Sequence, residues 1–198
     1  MSAAKVVLVI VLAGGISVGT AILGERLLAP ETSGGERAQG GGAQLQTLPE
    51  LRLPDLEGRE VSSSAWGGKV VVLNYWASWC PPCIREMPDM IRAQEALGGR
   101  GVQFVGIAVD RPDEVRAFLV DHPVNYPILI GDPAAVELAR RLGNRVQGLP
   151  FTAIFDAKGR RVFSRSGELG GEELKAQLDA LLGPAPAPAP EPLPQKPS

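Results

Sequence analysis

The chain of 198 residues carries 20 Lys and Arg against 22 Asp and Glu, a formal net charge of −2. No basic cluster stands out, so the electrostatic footprint of nucleic-acid binding is missing. The length leaves room for one globular domain between two compositionally distinct ends. Two cysteines and a single histidine, His122, are too few for a Cys/His zinc set.

Residues 6–23 form an uncharged, mostly apolar run, preceded by Lys5 and followed by Glu25 and Arg26. At ~1.5 Å per residue such a helix just spans ~27 Å of hydrocarbon. A cleaved signal peptide is the rival reading, but the run is long for one and no clear Ala-x-Ala site follows before Pro30. The pattern favours an uncleaved single-pass anchor within residues 1–28, with Lys5 on the cytoplasmic side. That orientation places the rest of the chain outside the cytoplasm, where thiols tend to be oxidised. Residues 29–47, rich in Gly, Gln, Glu and Ser, read as a flexible linker. Residues 48–183 form the expected domain, and the Pro/Ala repeats of 184–198 read as a disordered tail.

Within the domain, residues 51–53 and 60–61 flank a turn around 55–58, which predicts a short hairpin. Residues 69–76 are continuously apolar and rich in Val, as buried central strands are. A helix is predicted from Cys80 to about Leu97, with Ile84, Met87, Ile91 and Leu97 as its apolar face and a bend at Pro88. A second buried strand covers 102–109. The next helix runs from Pro112 to about Asp121, its apolar side made of Val115, Phe118 and Leu119. A strand at 126–130 follows, and Asp132 is placed to cap a helix over 133–142 that starts with Pro. Strands 151–155 and 161–166 form a hairpin around 156–159, and an amphipathic helix over 172–182 closes the domain. This alternation predicts an α/β fold, a mixed central sheet flanked by helices on both faces.

Cys80 and Cys83 are the only cysteines, two residues apart, where a strand runs into a helix. Free N–H groups and a positive dipole end make a helix start favourable for a thiolate, so this is the pattern of a thiol-disulfide redox site. A structural disulfide closing so short a loop would constrain the unfolded chain little. Covalent haem attachment would need His after the second cysteine, and Ile84 stands there. Pro81 and Pro82 donate no backbone hydrogen bonds, which leaves fewer amides to hold a Cys80 thiolate and predicts a moderately reducing site.

Two stretches carry a resemblance. Residues 70–88 contain Trp79-Cys80-Pro81-Pro82-Cys83 followed by Arg85-Glu86-Met87-Pro88, and residues 146–156 contain Gly148-Leu149-Pro150. Together they resemble the thioredoxin superfamily, and within it the membrane-anchored TlpA/ResA-like thiol-disulfide oxidoreductases of bacteria. The likeness covers residues 48–182. Residues 112–130 resemble the helix-strand insertion of that branch.

The resemblance implies a thioredoxin-like fold with an N-terminal hairpin, no cofactor, and a disulfide-bearing protein as substrate. It implies a bacterial inner-membrane protein with its catalytic domain in the periplasm, or otherwise outside the cytoplasm. Because the apolar run holds no cysteine, electrons must come from another protein, and the resemblance points to a membrane thiol donor of the DsbD/CcdA type. Cys80, at the exposed mouth of the helix, is the expected nucleophile, Cys83 the resolving thiol and Glu86 the candidate proton carrier, with a solvated helix carboxylate as the plain alternative for Glu86. Pro150 is expected in cis, opening the backbone of Leu149 to a substrate chain. Trp79, Leu149 and Phe151 are candidates for an apolar docking rim, Phe151 equally for the core, and Tyr75 and Trp76 for packing.

Three positions depart from related patterns. A thioredoxin has a buried acid six residues before its first cysteine, where this chain has Asn74, so proton transfer must use another group. Cytochrome c maturation thioredoxins commonly have Glu after the later proline; Phe151 stands there and weakens that assignment. Thiol peroxidases of the fold place Thr three residues before the reactive cysteine, where this chain has Ala77. The leading expectation is therefore a protein-disulfide reductase, with a thiol peroxidase and a non-enzymatic binding module as the alternatives.

Overall fold

The computed structural model describes residues 45–183. The expected anchor, the linker up to residue 44 and the tail 184–198 lie outside the described residues. Strands β1 (Arg52–Pro54) and β2 (Glu60–Ser62) form the predicted hairpin, followed by a 3-10 turn at Ser63–Trp66. Then come β3 (Val70–Trp76), α1 (Pro81–Leu97), β4 (Val102–Ala108), α2 (Pro112–Asp121), β5 (Ile128–Ile130), α3 (Pro133–Arg141), β6 (Phe151–Phe155), β7 (Arg161–Ser166) and α4 (Gly171–Leu182).

The main sheet has the order β5-β4-β3-β6-β7. The β3–β4 and β4–β5 pairs are parallel, the β3–β6 and β6–β7 pairs antiparallel. Alternating side chains of β3 separate two cores. Val70, Val72 and Trp76 join residues of α1, α2 and α4, whereas Val71, Leu73 and Tyr75 join α3, β1 and Trp66. Every residue of β3 is buried, which is why its sequence lacks polar alternation. Gly106 on β4 lets these layers close: a Cβ there would meet Ile128 at 2.6 Å and the Trp76 indole nitrogen at 3.0 Å.

The structure moves three expectations. The strand predicted over 126–130 keeps only Ile128–Ile130, because Pro127 has no N–H to offer the ladder and contributes only its carbonyl, to Gly106 N at 2.9 Å. On α1 the buried stripe is Cys83, Glu86, Met87 and Met90, the i, i+3, i+4, i+7 set, and Ile84, Ile91 and Leu97 lie half-buried on its flanks. Pro88 sits on the exposed side of a helix that continues through it, where water can serve the carbonyl its missing N–H leaves. The folded unit also starts earlier than Leu48. Leu45 N–H donates to Arg141 O and the Gln46 carbonyl accepts from Arg161 N–H, both at 2.7 Å.

This topology builds one site from distant segments. β3 ends pointing into α1, β4 runs parallel beside it, and β6 runs antiparallel on its other side. The loop after β4 and the loop before β6 therefore meet at the carboxyl end of β3, the usual functional edge of such sheets.

Candidate active site

Cys80 caps the N-terminus of α1 in an extended conformation and is joined to Cys83 by a disulfide. Pro81 and Pro82 fill the first two helical positions, where a missing N–H is tolerated. Ahead of the pair, Ser78 is held by the loop after β4: its backbone N–H and its hydroxyl both donate to Asp110 Oδ2, at 2.9 and 2.6 Å. Asp110 carries out no chemistry that the sequence suggested, but it fixes the turn that presents Trp79 and Cys80. Its spacing of 32 residues from Ser78 leaves no local signal for it.

Cys80 is not at an open mouth, as the sequence suggests; it is 3% exposed and Cys83 is fully buried. Cys80 borders a groove of about 470 Å³ that Tyr75, Trp79, Pro82, Val109 and Leu149 also line. Trp79 is 66% exposed and stands at the rim. The Leu149–Pro150 peptide bond is cis. Leu149 is half-buried on the groove wall, outside the ladder that begins at Phe151, and Pro150 itself is buried. Phe151 packs in the core against Tyr75, with ring centroids 5.9 Å apart, so it contributes nothing to a docking rim. Tyr75 and Trp76 are core residues as expected.

Three residues after Cys83 on α1, Glu86 is a buried carboxylate rather than a solvated one, at 2% exposure. Asn74 Nδ2 donates to Glu86 Oε1 at 2.7 Å, and the backbone N–H of Leu169 donates to Oε2 at 2.8 Å. The same Asn74 amide reaches Thr152 Oγ1 at 3.1 Å. Burial disfavours the charged form and is the dominant influence on the Glu86 carboxyl. The Leu169 and Asn74 hydrogen bonds pull the other way, the nearby Glu168 charge adds to burial, and the balance raises the carboxyl to about 7. A group balanced there both accepts and releases a proton near neutrality, which suits it to a thiol three residues earlier on the same helix.

Tyr126 Oη and Trp76 Nε1 are buried without a hydrogen-bond partner among the described residues. Burial, and secondarily the charge on Glu86, pushes the Tyr126 hydroxyl well above the ordinary phenol value. Among the described residues no group of three or more His, Cys, Asp or Glu could hold a metal ion. His122 is exposed, with its ring stacked on Phe118 at 4.2 Å.

A model of the AhpC/TSA family matches residues 45–161. The chain is similar to the thiol-disulfide oxidoreductase ResA of Geobacillus thermodenitrificans, with 33% identity over 136 residues that cover 68% of this chain and 76% of that one. It is equally similar to the thioredoxin-like protein YneN of Bacillus subtilis, with 33% identity over 138 residues covering 68% and 78%. Among solved structures, a thioredoxin-family thiol:disulfide interchange protein from Chlorobium tepidum matches with a TM-score of 0.65 at 27% identity, over 71% of this chain and 99% of that one.

Proposed function

Since this chain belongs to the AhpC/TSA family, with a thioredoxin-like fold and thiol-disulfide oxidoreductase activity, we propose that it reduces disulfides of proteins outside the cytoplasm while tethered to a bacterial inner membrane. The observation that carries this reading is the Cys80–Cys83 disulfide, with Cys80 on the wall of a groove and Cys83 shut behind it.

In the reduced enzyme the Cys80 thiolate attacks one sulfur of the substrate disulfide. A Cys80–substrate disulfide forms and the first substrate thiolate leaves. Cys83 then loses its proton to Glu86, and its thiolate attacks Cys80 Sγ. The mixed disulfide breaks, the second substrate thiolate leaves, and Cys80–Cys83 is oxidised by two electrons. Trp79, Leu149 and Pro150 form the substrate-binding side of this exchange, through an exposed indole and the main chain ahead of β6.

Return to the dithiol needs two electrons from a second thiol pair. A membrane donor of the DsbD/CcdA type fits an apolar segment that has no cysteine of its own. Support for the tether is the uncharged run at residues 6–23; among the described residues no helix is long and apolar enough to cross a membrane. The proline pair at the start of α1 supports a reducing direction, because it withholds two amides from the Cys80 thiolate.

The test is reduction of insulin disulfides by the dithiol form. Activity of the wild type that disappears in Cys80→Ser is the expected result, and equal turnover by that variant would overturn the proposal. A reduction potential near the about −120 mV of strong oxidants would reverse its direction.

A further inference from the structure

Asn144 was not singled out by its sequence position, yet it is 4% exposed and borders the same groove as Cys80. It follows α3 in a tight turn, where its N–H donates to Ala139 O at 2.9 Å and its carbonyl accepts from Gln147 N–H at 3.0 Å. Its side chain then turns to Gly148. Nδ2 donates to Gly148 O at 2.9 Å, and Oδ1 accepts from Gly148 N–H at 3.2 Å. Ser166 Oγ lies 3.4 Å from the same Oδ1.

One side chain thus takes both backbone groups of Gly148, much as one rung of an antiparallel ladder does. A carboxamide is suited to this at any pH, since it offers a donor and an acceptor from a single planar head. The intervening Arg145, Val146 and Gln147 are exposed, and Gln147 has a left-handed φ of 51°. Few other bonds define this loop, so the Asn144 amide decides where the chain re-enters the site. Gly148 and Leu149, the residues it sets, are part of the groove wall.

We propose that Asn144 is a positioning residue for substrate recognition: it holds the Gly148–Leu149 main chain in place along the groove that Cys80 also lines, so that an extended segment flanking a substrate disulfide finds a preformed wall. The proposal rests on the groove being where protein disulfides dock. Because the brace touches neither sulfur, its loss affects docking and leaves the exchange chemistry intact.

The test compares insulin with hydroxyethyl disulfide, which is too small to use the wall, and follows amide exchange at Gly148. Asn144→Ala removes both bonds; Asn144→Asp keeps the acceptor and loses the donor. The expected result is an about tenfold rise in KM for insulin with kcat unchanged in Asn144→Ala, an intermediate rise in Asn144→Asp, wild-type rates on hydroxyethyl disulfide, and faster exchange at Gly148. Ser166→Ala, which leaves both Gly148 bonds, should match the wild type. An unchanged insulin KM, or equal losses on both substrates, would overturn the proposal. If Asn144→Ala does not fold, the Asn144→Asp and Ser166→Ala pair decides by the same readouts. A wild-type protein that reduces hydroxyethyl disulfide but not insulin would instead sink the docking reading, and Asn144's recognition role with it.

Discussion

Asn74 donates to Glu86 at 2.7 Å across the gap between β3 and α1, and both side chains are at most 2% exposed. The position that would hold a buried acid on the strand holds an amide, and the acid stands opposite it on the helix. The carboxyl comes from the other element, with its hydrogen-bond partners supplied by Asn74 and Leu169.

The first prediction concerns pH. Glu86 is raised from 4.5 to about 7 in the folded protein. Between those values the native state holds a proton that the unfolded chain has lost, so stability falls as pH rises from about 4.5 to 7 and is flat beyond. The shift corresponds to about 3 kcal/mol. Glu86→Gln keeps an acceptor for Asn74 but cannot accept from Leu169, which costs about 1–3 kcal/mol against the protonated wild type, a penalty that does not itself titrate. Urea unfolding of the oxidised protein at pH 5 and pH 8 should show a wild-type loss that is absent in the variant. Parallel pH curves for the two proteins would remove Glu86 as the titrating group.

A second acid should exaggerate the effect. Asn74→Asp puts another carboxyl within hydrogen-bond reach of Glu86, so the pair shares one proton and resists losing it. The fall in Tm from pH 5 to pH 8 should exceed that of the wild type. An equal fall would mean that the two side chains do not face each other as described.

The third prediction assigns the sulfurs. Cys80 borders the groove and Cys83 is fully buried. Cys83→Ser should therefore accumulate disulfide-linked complexes with substrate proteins, resolved by dithiothreitol on gels, while Cys80→Ser should form few. Comparable yields from both variants would contradict the order of attack.

Trp79 is the fourth. At 66% exposure its loss should change stability by no more than about 0.5 kcal/mol. If it anchors a substrate chain, Trp79→Ala should lower kcat/KM on insulin about 5- to 30-fold. Its thiols should react with iodoacetamide at the wild-type rate. A variant as active on insulin as its parent would show the indole to be a bystander.

Local patterns were sufficient for much of this molecule. Val-rich continuity marked β3, and the Cys-x-x-Cys spacing after it marked both the start of α1 and the chemistry, because each is a relation among neighbours a few residues apart. Asp132 as the cap of α3 was legible for the same reason, and its carboxylate accepts from Ala135 N–H at 2.8 Å. Glu86 was legible as a position on the helical face of Cys83, but its state was not. Its partners lie 12 residues before it and 83 after it, and the burial that raises its pKa exists only once β3, α1 and the Leu169 backbone meet. The Asp110 hold on Ser78, the Asn144 hold on Gly148, and the withdrawal of Cys80 from solvent and of Phe151 into the core belong to the same class. Sequence by itself determined the elements and singled out the two candidate thiols, through periodicity and the spacing of the cysteines. Only tertiary structure decided which groups lose water and which donors reach which acceptors, because desolvation and hydrogen bonding depend on atoms that the sheet order brings together from across the chain.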